Sequence, residues 1–265
     1  MNSSNICRKN NFNFLHLNIL ANHNHFVTLS LVCRLIMRAL KSHILLILII
    51  SLIVFGCKGS ENRSAESFEV WGIDLSKHQR SVNWDKLIDS NQPAFVYLKA
   101  TEGTLISDPT YAKRKTELNN RDILCGAYHF FGHRTDGKEQ AENFIKTANL
   151  KKGDLIPVLD IEHHRFFKDR QWMIKQTKAF CKKIRSHYGV YPIIYCSSNF
   201  YERYLKDDFP DREYILWIAD YRGEPTHKWT IWQHTDNHRI KGISSAVDRN
   251  VFDGSQDDLK KLILR

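Results

Sequence analysis

Residues 155–162 read LIPVLDIE: an apolar run from Leu155 to Leu159, broken at its end by Asp160 and Glu162. Side chains alternate along a strand, so these two acids share a face with Ile156 and Val158. Carboxylates on a face of the buried type are costly unless a cleft solvates them or a partner neutralises them. The stretch therefore reads as a core strand that ends at a polar opening. Two rim acids engaged in salt bridges are the plainer alternative, but Leu155–Leu159 is too apolar for a strand that merely runs out into solvent.

Moving outward, the same pattern recurs. Downstream, Asp169–Tyr188 places Met173, Thr177, Phe180, Cys181, Ile184 and Tyr188 on one helical face, with Gly189 as the stop. Upstream, Val70–Leu75, Ala94–Ala100 and Ile123–Phe131 are strand-like runs followed by helical stretches at Asn83–Ser90, Pro109–Asn120 and Asp136–Leu150. Asp136 and Glu139 have the spacing of an N-cap and its N3 partner. Tyr191–Ser197 is a fifth strand, leading into a short helix at Asn199–Leu205. Tyr214–Asp220, Lys228–Thr235 and Ala246–Phe252 follow as strands without full helices between them, and Gln256–Leu264 closes the chain as a helix. Repeated βα units imply an α/β fold with a parallel sheet, and eight strands permit a closed TIM-like barrel. An open doubly wound sheet is the alternative, but Asp74-Leu75-Ser76-Lys77-His78 is not the Gly-rich loop that such a sheet carries after its first strand.

The ends of the chain are of different material. The formal net charge is +10, from 39 Lys and Arg against 29 Asp and Glu. Arg8, Lys9, Arg34, Arg38 and Lys41 lie in residues 1–57, which hold no acid, so residues 58–265 keep +5. A basic, acid-free leader is a targeting signature, set apart from the fold. Met37-Arg38-Ala39-Leu40-Lys41 resembles a charged n-region, which makes Met37 the expected initiator. Ile44–Phe55 is an apolar run short of the ~20 residues that a spanning helix needs. Gly56-Cys57 follows as a lipobox-like end, although Phe55 is bulky for its position. The chain is thus expected to be exported to the cell envelope with a lipid on Cys57; an uncleaved anchor or an ordinary secretory signal is the other reading. Residues 58–67 (KGSENRSAES) read as a polar tether, and 68–265 as one domain. Cys125, Cys181 and Cys196 sit in apolar patterns and are expected as buried free thiols. No CxxC or HxH pair marks a metal site, and neither metal nor cofactor is expected; His129, His163 and His164 lack the spacing.

In α/β barrels chemistry sits at the C-terminal ends of the strands, so acids that interrupt strands at their last positions are the candidates. Besides Asp160 and Glu162, these are Asp74 in WGIDLS (71–76) and Asp248 in AVDRN (246–250). The first and eighth strands of a closed barrel are neighbours, which brings Asp74 and Asp248 together, facing the fourth strand across the mouth. Crowded carboxylates raise the pKa of at least one of them. Glycosidic cleavage needs that asymmetry: a protonated acid beside the leaving oxygen and an ionised group near the developing oxocarbenium. Glu162, nearer the mouth and longer, is the expected acid, with Asp160 and Asp248 as charged partners and Asp74 assisting. Tyr97, Tyr128, Phe130, Phe131, Trp217, Tyr221 and Trp232 cluster near the same ends. Tyr128, Trp217 and Tyr221 are candidates to contact sugar rings, and Lys99 and Gln233 to bind hydroxyls or an acetamido group.

Seven motifs in order complete the pattern: GIDLS (72–76), GAYHFF (126–131), PVLDIE (157–162), YPIIYCSSNFY (191–201), WIADY (217–221), TIWQHT (230–235) and VDRNVF (247–252). Together they resemble glycoside hydrolase family 25, the Chalaropsis-type lysozymes, from about Trp71 to Leu259. The resemblance implies a flattened barrel whose last strands lack full helices. It also implies hydrolysis of the β-1,4 bond between N-acetylmuramic acid and N-acetylglucosamine, with Glu162 as acid and Asp74, Asp160 and Asp248 as the other active-site carboxylates. Departures are His78, where an aromatic is usual; Arg249, where an apolar residue is; and the pair His163-His164 after the acid. Peptidoglycan is the expected partner, acted on by a monomer. Nucleic acid is not expected, since the positive charge comes without a binding motif. Competing readings are a tethered glycan-binding barrel without turnover and a chitinase-like N-acetylhexosaminide hydrolase.

Overall fold

Each of the eight expected strands pairs with its neighbours around a ring. The computed structural model describes Met37 and residues 63–162 and 169–265. The chain divides into two units, residues 1–61 and 62–265, and the second forms the barrel. Most of the leader, Cys57, residues 58–62 and the pair His163-His164 lie outside the described residues.

The strands are β1 (Trp71–Leu75), β2 (Phe95–Glu102), β3 (Ile106–Ser107), β4 (Cys125–Phe130), β5 (Val158–Asp160), β6 (Ile193–Ser197), β7 (Leu216–Ala219), β8 (Ile231–His238) and β9 (Val247–Phe252). Their order is β1-β9-β8-β7-β6-β5-β4-β2-β3, and β1 also pairs with β2, which closes an eight-stranded barrel. The short β3 is an antiparallel flap on the end of β2. Helices α1 (Trp84–Asn91), α2 (Tyr111–Asn119), α3 (Gly137–Ala148) and α4 (Arg170–Tyr188) follow β1, the β2–β3 flap, β4 and β5 in turn. A short α5 (Ser198–Phe200) runs into a π-turn at Tyr201–Leu205. Local chemistry explains the boundaries. Asp136 accepts from the Lys138 and Glu139 amides to start α3, and Asp169 caps α4 through the Trp172 amide. Gly189, at φ 79°, ends α4 in the left-handed region.

The barrel is filled by side chains and is not a pore. Tyr97 and Trp217 meet inside at 5.1 Å between ring centroids, and the Tyr97 hydroxyl donates to the Ile156 carbonyl. Gly126 makes room for this: a Cβ there would lie 2.3 Å from the Tyr97 ring. Outside the barrel, His129 stacks on Phe180 and is held through both ring nitrogens by Thr101 and Gln140. Burial lowers its pKa to about 4, so it is a neutral core residue. Cys125, Cys181 and Cys196 are buried free thiols.

Four expectations need correction. First, β9 is antiparallel to both β1 and β8. A parallel return needs a long crossover, and the β8–β9 link carries no helix to supply one, so the chain simply turns back. Asp248 therefore lies near the start of its strand, not at its end, and still reaches the mouth. Second, β5 is only three residues long, and Glu162 sits just beyond it. Third, the last helix, α6 (Gln256–Leu259), is a single turn that continues as a 3-10 turn to Leu262. Ile263 then bridges to Leu155, and the buried Leu262 and Leu264 close the barrel's lower end. Fourth, the last part of the polar stretch 58–67 is docked on the barrel. Ala65–Ser67 form a 3-10 turn, Arg63 pairs with Asp253 at 2.9 Å and with Glu224, and Phe68 packs edge-on against Trp229 and Trp232. These residues lie against Trp232 of β8 and against Asp253 just after β9.

Candidate active site

The mouth at the C-terminal ends of the parallel strands holds a cavity of about 240 Å³, and Asp74, Asp160, Glu162 and Asp248 all line it. Three separate parts of the chain deliver them. Asp74 on β1 is the direct cross-strand partner of Asp248 on β9. Asp160 ends β5, in register with Phe130 on β4 and Tyr195 on β6. Glu162 follows, and its backbone carbonyl accepts a 2.6 Å hydrogen bond from His133 Nε2.

The four acids occupy different environments. Asp74 is buried, and its Oδ2 accepts from Asn250 Nδ2 at 2.8 Å and from Gln233 Nε2 at 3.1 Å. Burial raises its pKa, opposed by these donors and by a hydrogen bond with Asp248. Asp248 is raised further, first by burial and then by the charge of Asp74. Asp160 is buried, and its Oδ1 has no hydrogen-bond partner among the described residues. Burial pushes its pKa well above the carboxylate range; Glu162 and Asp74 add to the shift and Lys99 opposes it. Glu162 keeps solvent contact, yet the walls of the mouth desolvate it enough to raise its pKa, against the neighbouring Tyr195 hydroxyl and the charge of Lys99. The arrangement can hold protons at neutral pH on acids that would be ionised in water.

The expected sugar-contacting residues fare differently. Lys99, Tyr128 and Gln233 line the cavity. Lys99 Nζ pairs with Glu102 at 2.7 Å and lies 4.7 Å from the centroid of the Phe130 ring. Trp217 also borders the cavity but is only 2% exposed, wedged between Tyr97 and Tyr195. It offers no open face for a sugar to stack on; instead its indole N–H donates to Asn250 Oδ1 at 2.9 Å. The reason is that β7 ends at Ala219, so Trp217 points into the barrel below the rim. Tyr221, beyond the strand, is exposed and outside the cavity lining, and its hydroxyl donates to Gln233 Oε1.

Sequence reasoning missed Tyr195 and Asn250. Tyr195 donates to Gln233 Oε1 at 2.8 Å and also lines the mouth. The signal was there: a lone hydroxyl in the apolar run Ile193-Ile194-Tyr195-Cys196, and an amide two residues from Asp248 on the same strand face. The loop after β1, with Ser76, His78 and Gln79, forms another wall, pinned by the buried Arg114, which donates to the carbonyls of Ser76 and Gln79. His78 thus stands at the mouth where an aromatic was expected. Arg249 lies away from the cavity, over the Trp71 ring at 5.1 Å, so this departure leaves the mouth unchanged.

Comparison with known proteins gives a consistent result. The family model described as "Glycosyl hydrolases family 25" matches residues 73–243. The chain is 30% identical over 209 residues to YegX of Escherichia coli (strain K12), covering 76% of each. It is 30% identical over 216 residues to lysozyme M1 of Streptomyces globisporus, covering 72% of this chain and 70% of that one. Its fold is similar to that of a family 25 glycosyl hydrolase from Bacillus anthracis, with a TM-score of 0.70 at 28% identity over 77% of this chain and 98% of the other.

Proposed function

The chain belongs to glycosyl hydrolases family 25, and from that premise we propose that it cleaves peptidoglycan at the β-1,4 bond between N-acetylmuramic acid and N-acetylglucosamine, with Glu162 as general acid. The observation that carries this reading is the convergence of four acids from β1, β9 and the end of β5 on one cavity, with Glu162 the one most open to solvent. A general acid must be protonated before it acts and must reach the leaving oxygen. Burial raises the Glu162 pKa, which supports the first condition, and its place beyond the end of β5 supports the second. In the proposed step Glu162 gives its proton to the glycosidic oxygen as the bond from that oxygen to the anomeric carbon breaks. Ionised carboxylate charge at the mouth stabilises the oxocarbenium character, and water then supplies the new anomeric oxygen and a proton.

Export to the cell envelope and a lipid on Cys57 belong to the same proposal. They rest on the acid-free basic leader and the apolar run Ile44–Phe55. The activity is tested by release of new reducing ends from purified peptidoglycan. Glu162→Gln should lower the rate by roughly 10²–10⁴-fold while leaving thermal unfolding near that of the unmodified protein. A folded Glu162→Gln protein that lyses walls at a near-normal rate would remove Glu162 from this role.

A further inference from the structure

We propose that Asn250, oriented by Trp217, is a positioning residue that keeps Asp74 ionised and leaves the proton of the Asp74–Asp248 pair on Asp248. An indole N–H can donate but never accept, so the atom facing that of Trp217 at 2.9 Å must be the amide oxygen of Asn250. The NH₂ group therefore faces the other way and donates to Asp74 Oδ2 at 2.8 Å. With its oxygen engaged, the amide cannot turn over to accept a proton from Asp74. Nor can Trp217 swing aside: it is 2% exposed and packed at 5.1 Å and 5.3 Å against the rings of Tyr97 and Tyr195. Gln233 repeats the device. Its Oε1 accepts from the hydroxyls of Tyr195 and Tyr221, and its Nε2 donates to the same Asp74 oxygen.

Two amide donors on one buried carboxylate oxygen favour its charged form. Asp248 is the cross-strand partner of Asp74 and hydrogen-bonds to it, which requires one proton between the two acids. The other titratable groups around the pair are Glu162, Asp160, Tyr128 and Tyr195, with Tyr221 and Asp236 near Asp248 and Lys99 nearer to Asp160 and Glu162. Apart from Lys99 these bring no positive charge to the pair; Asp236 bears on Asp248, and the amide donors bear on Asp74 alone. The greater upward shift of Asp248 accords with this assignment. A neutral Asp248 offers a proton donor at the mouth in place of a charge, and it relieves Glu162 of one like-charged neighbour.

Carbon-13 NMR of the aspartate carboxyls in the full chain tests the assignment, with Asp74→Asn and Asp248→Asn identifying the two signals. Asp74 should be ionised at neutral pH while Asp248 still holds its proton. In Asn250→Leu the Asp74 titration should move up by about one pH unit or more, the worth of a lost hydrogen bond to a charged group. Asn250→Val removes the donor without adding a charge and suits a strand position. It should move Asp74 in the same direction, and it serves if the leucine variant does not fold. A purely structural role would lower thermal stability and leave the titration in place. An unchanged Asp74 titration in either folded variant, or loss of the Asp248 proton before that of Asp74, would overturn the proposal. The measurement needs no substrate, so its failure is distinguishable from failure of the muramidase reading.

Discussion

Asp248 faces Asp74 across two antiparallel strands, and the folded state holds its proton far more tightly than an unfolded chain would. The sign of the consequence is fixed by linkage. A carboxyl with a raised folded pKa stabilises the fold fully below the ordinary aspartate pKa of about 4. That contribution fades as pH rises through neutrality toward the folded value. Asp248→Asn, which never ionises, should therefore flatten the dependence. Between mild acid and mild alkali the native protein should lose several degrees of Tm relative to the variant, at ~2–4 °C per kcal/mol for a domain of this size. Parallel curves for the two proteins would mean that Asp248 is ionised throughout. The acids at this site were legible in the sequence because each interrupts an apolar strand, and a charge there demands a reason. Tyr195 and Asn250 left a fainter mark, because a tyrosine or an asparagine in a strand is unremarkable until its partner is known. Trp217 looked like a sugar platform for the opposite reason: alternation gives the face of a strand but not the depth at which a side chain sits.

Alternation also explains what could be read of the elements. β1, β2, β4 and β6 are short runs rich in branched and aromatic residues, and α3 and α4 carry caps and a left-handed stop that sequence displays directly. Strand direction is another matter, since a period of two is the same in either sense. The direction of β9 follows from the missing helix before it, and only the pairing register reveals that its first residues lie beside the end of β1. Packing between elements was equally hidden. Gly137, the first residue of α3, abuts α4 so closely that a Cβ would fall 1.9 Å from the Gln176 carbonyl oxygen, and its amide donates to Gln176 Oε1. Because the obstacle is backbone, relief requires the two helices to move apart. Gly137→Ala should cost about 1–3 kcal/mol, read as a lowered Tm in thermal unfolding, with the pH profile of activity unaltered. A variant as stable as the native protein would show that this contact is loose.

At the scale of the whole barrel, closure brings residues far apart in sequence, 74, 160 and 248, to one cavity. The pairing of β1 with both β2 and β9 makes that closure, and the C-terminal tail seals the opposite end through Leu262 and Leu264. The segment from Arg63 to Phe68 docks near β8 and β9, a role its polar composition concealed. Residues 58–265 carry a net +5 while four acids crowd one opening. Under the proposed function, the basic exterior draws the chain to an anionic wall polymer while the acids act on its uncharged linkages. The most direct measurement is mass analysis of the soluble fragments released from peptidoglycan of defined structure. Fragments ending in reducing N-acetylmuramic acid are the predicted result. Fragments ending in reducing N-acetylglucosamine, or glycan bound with no new reducing ends at all, would contradict it.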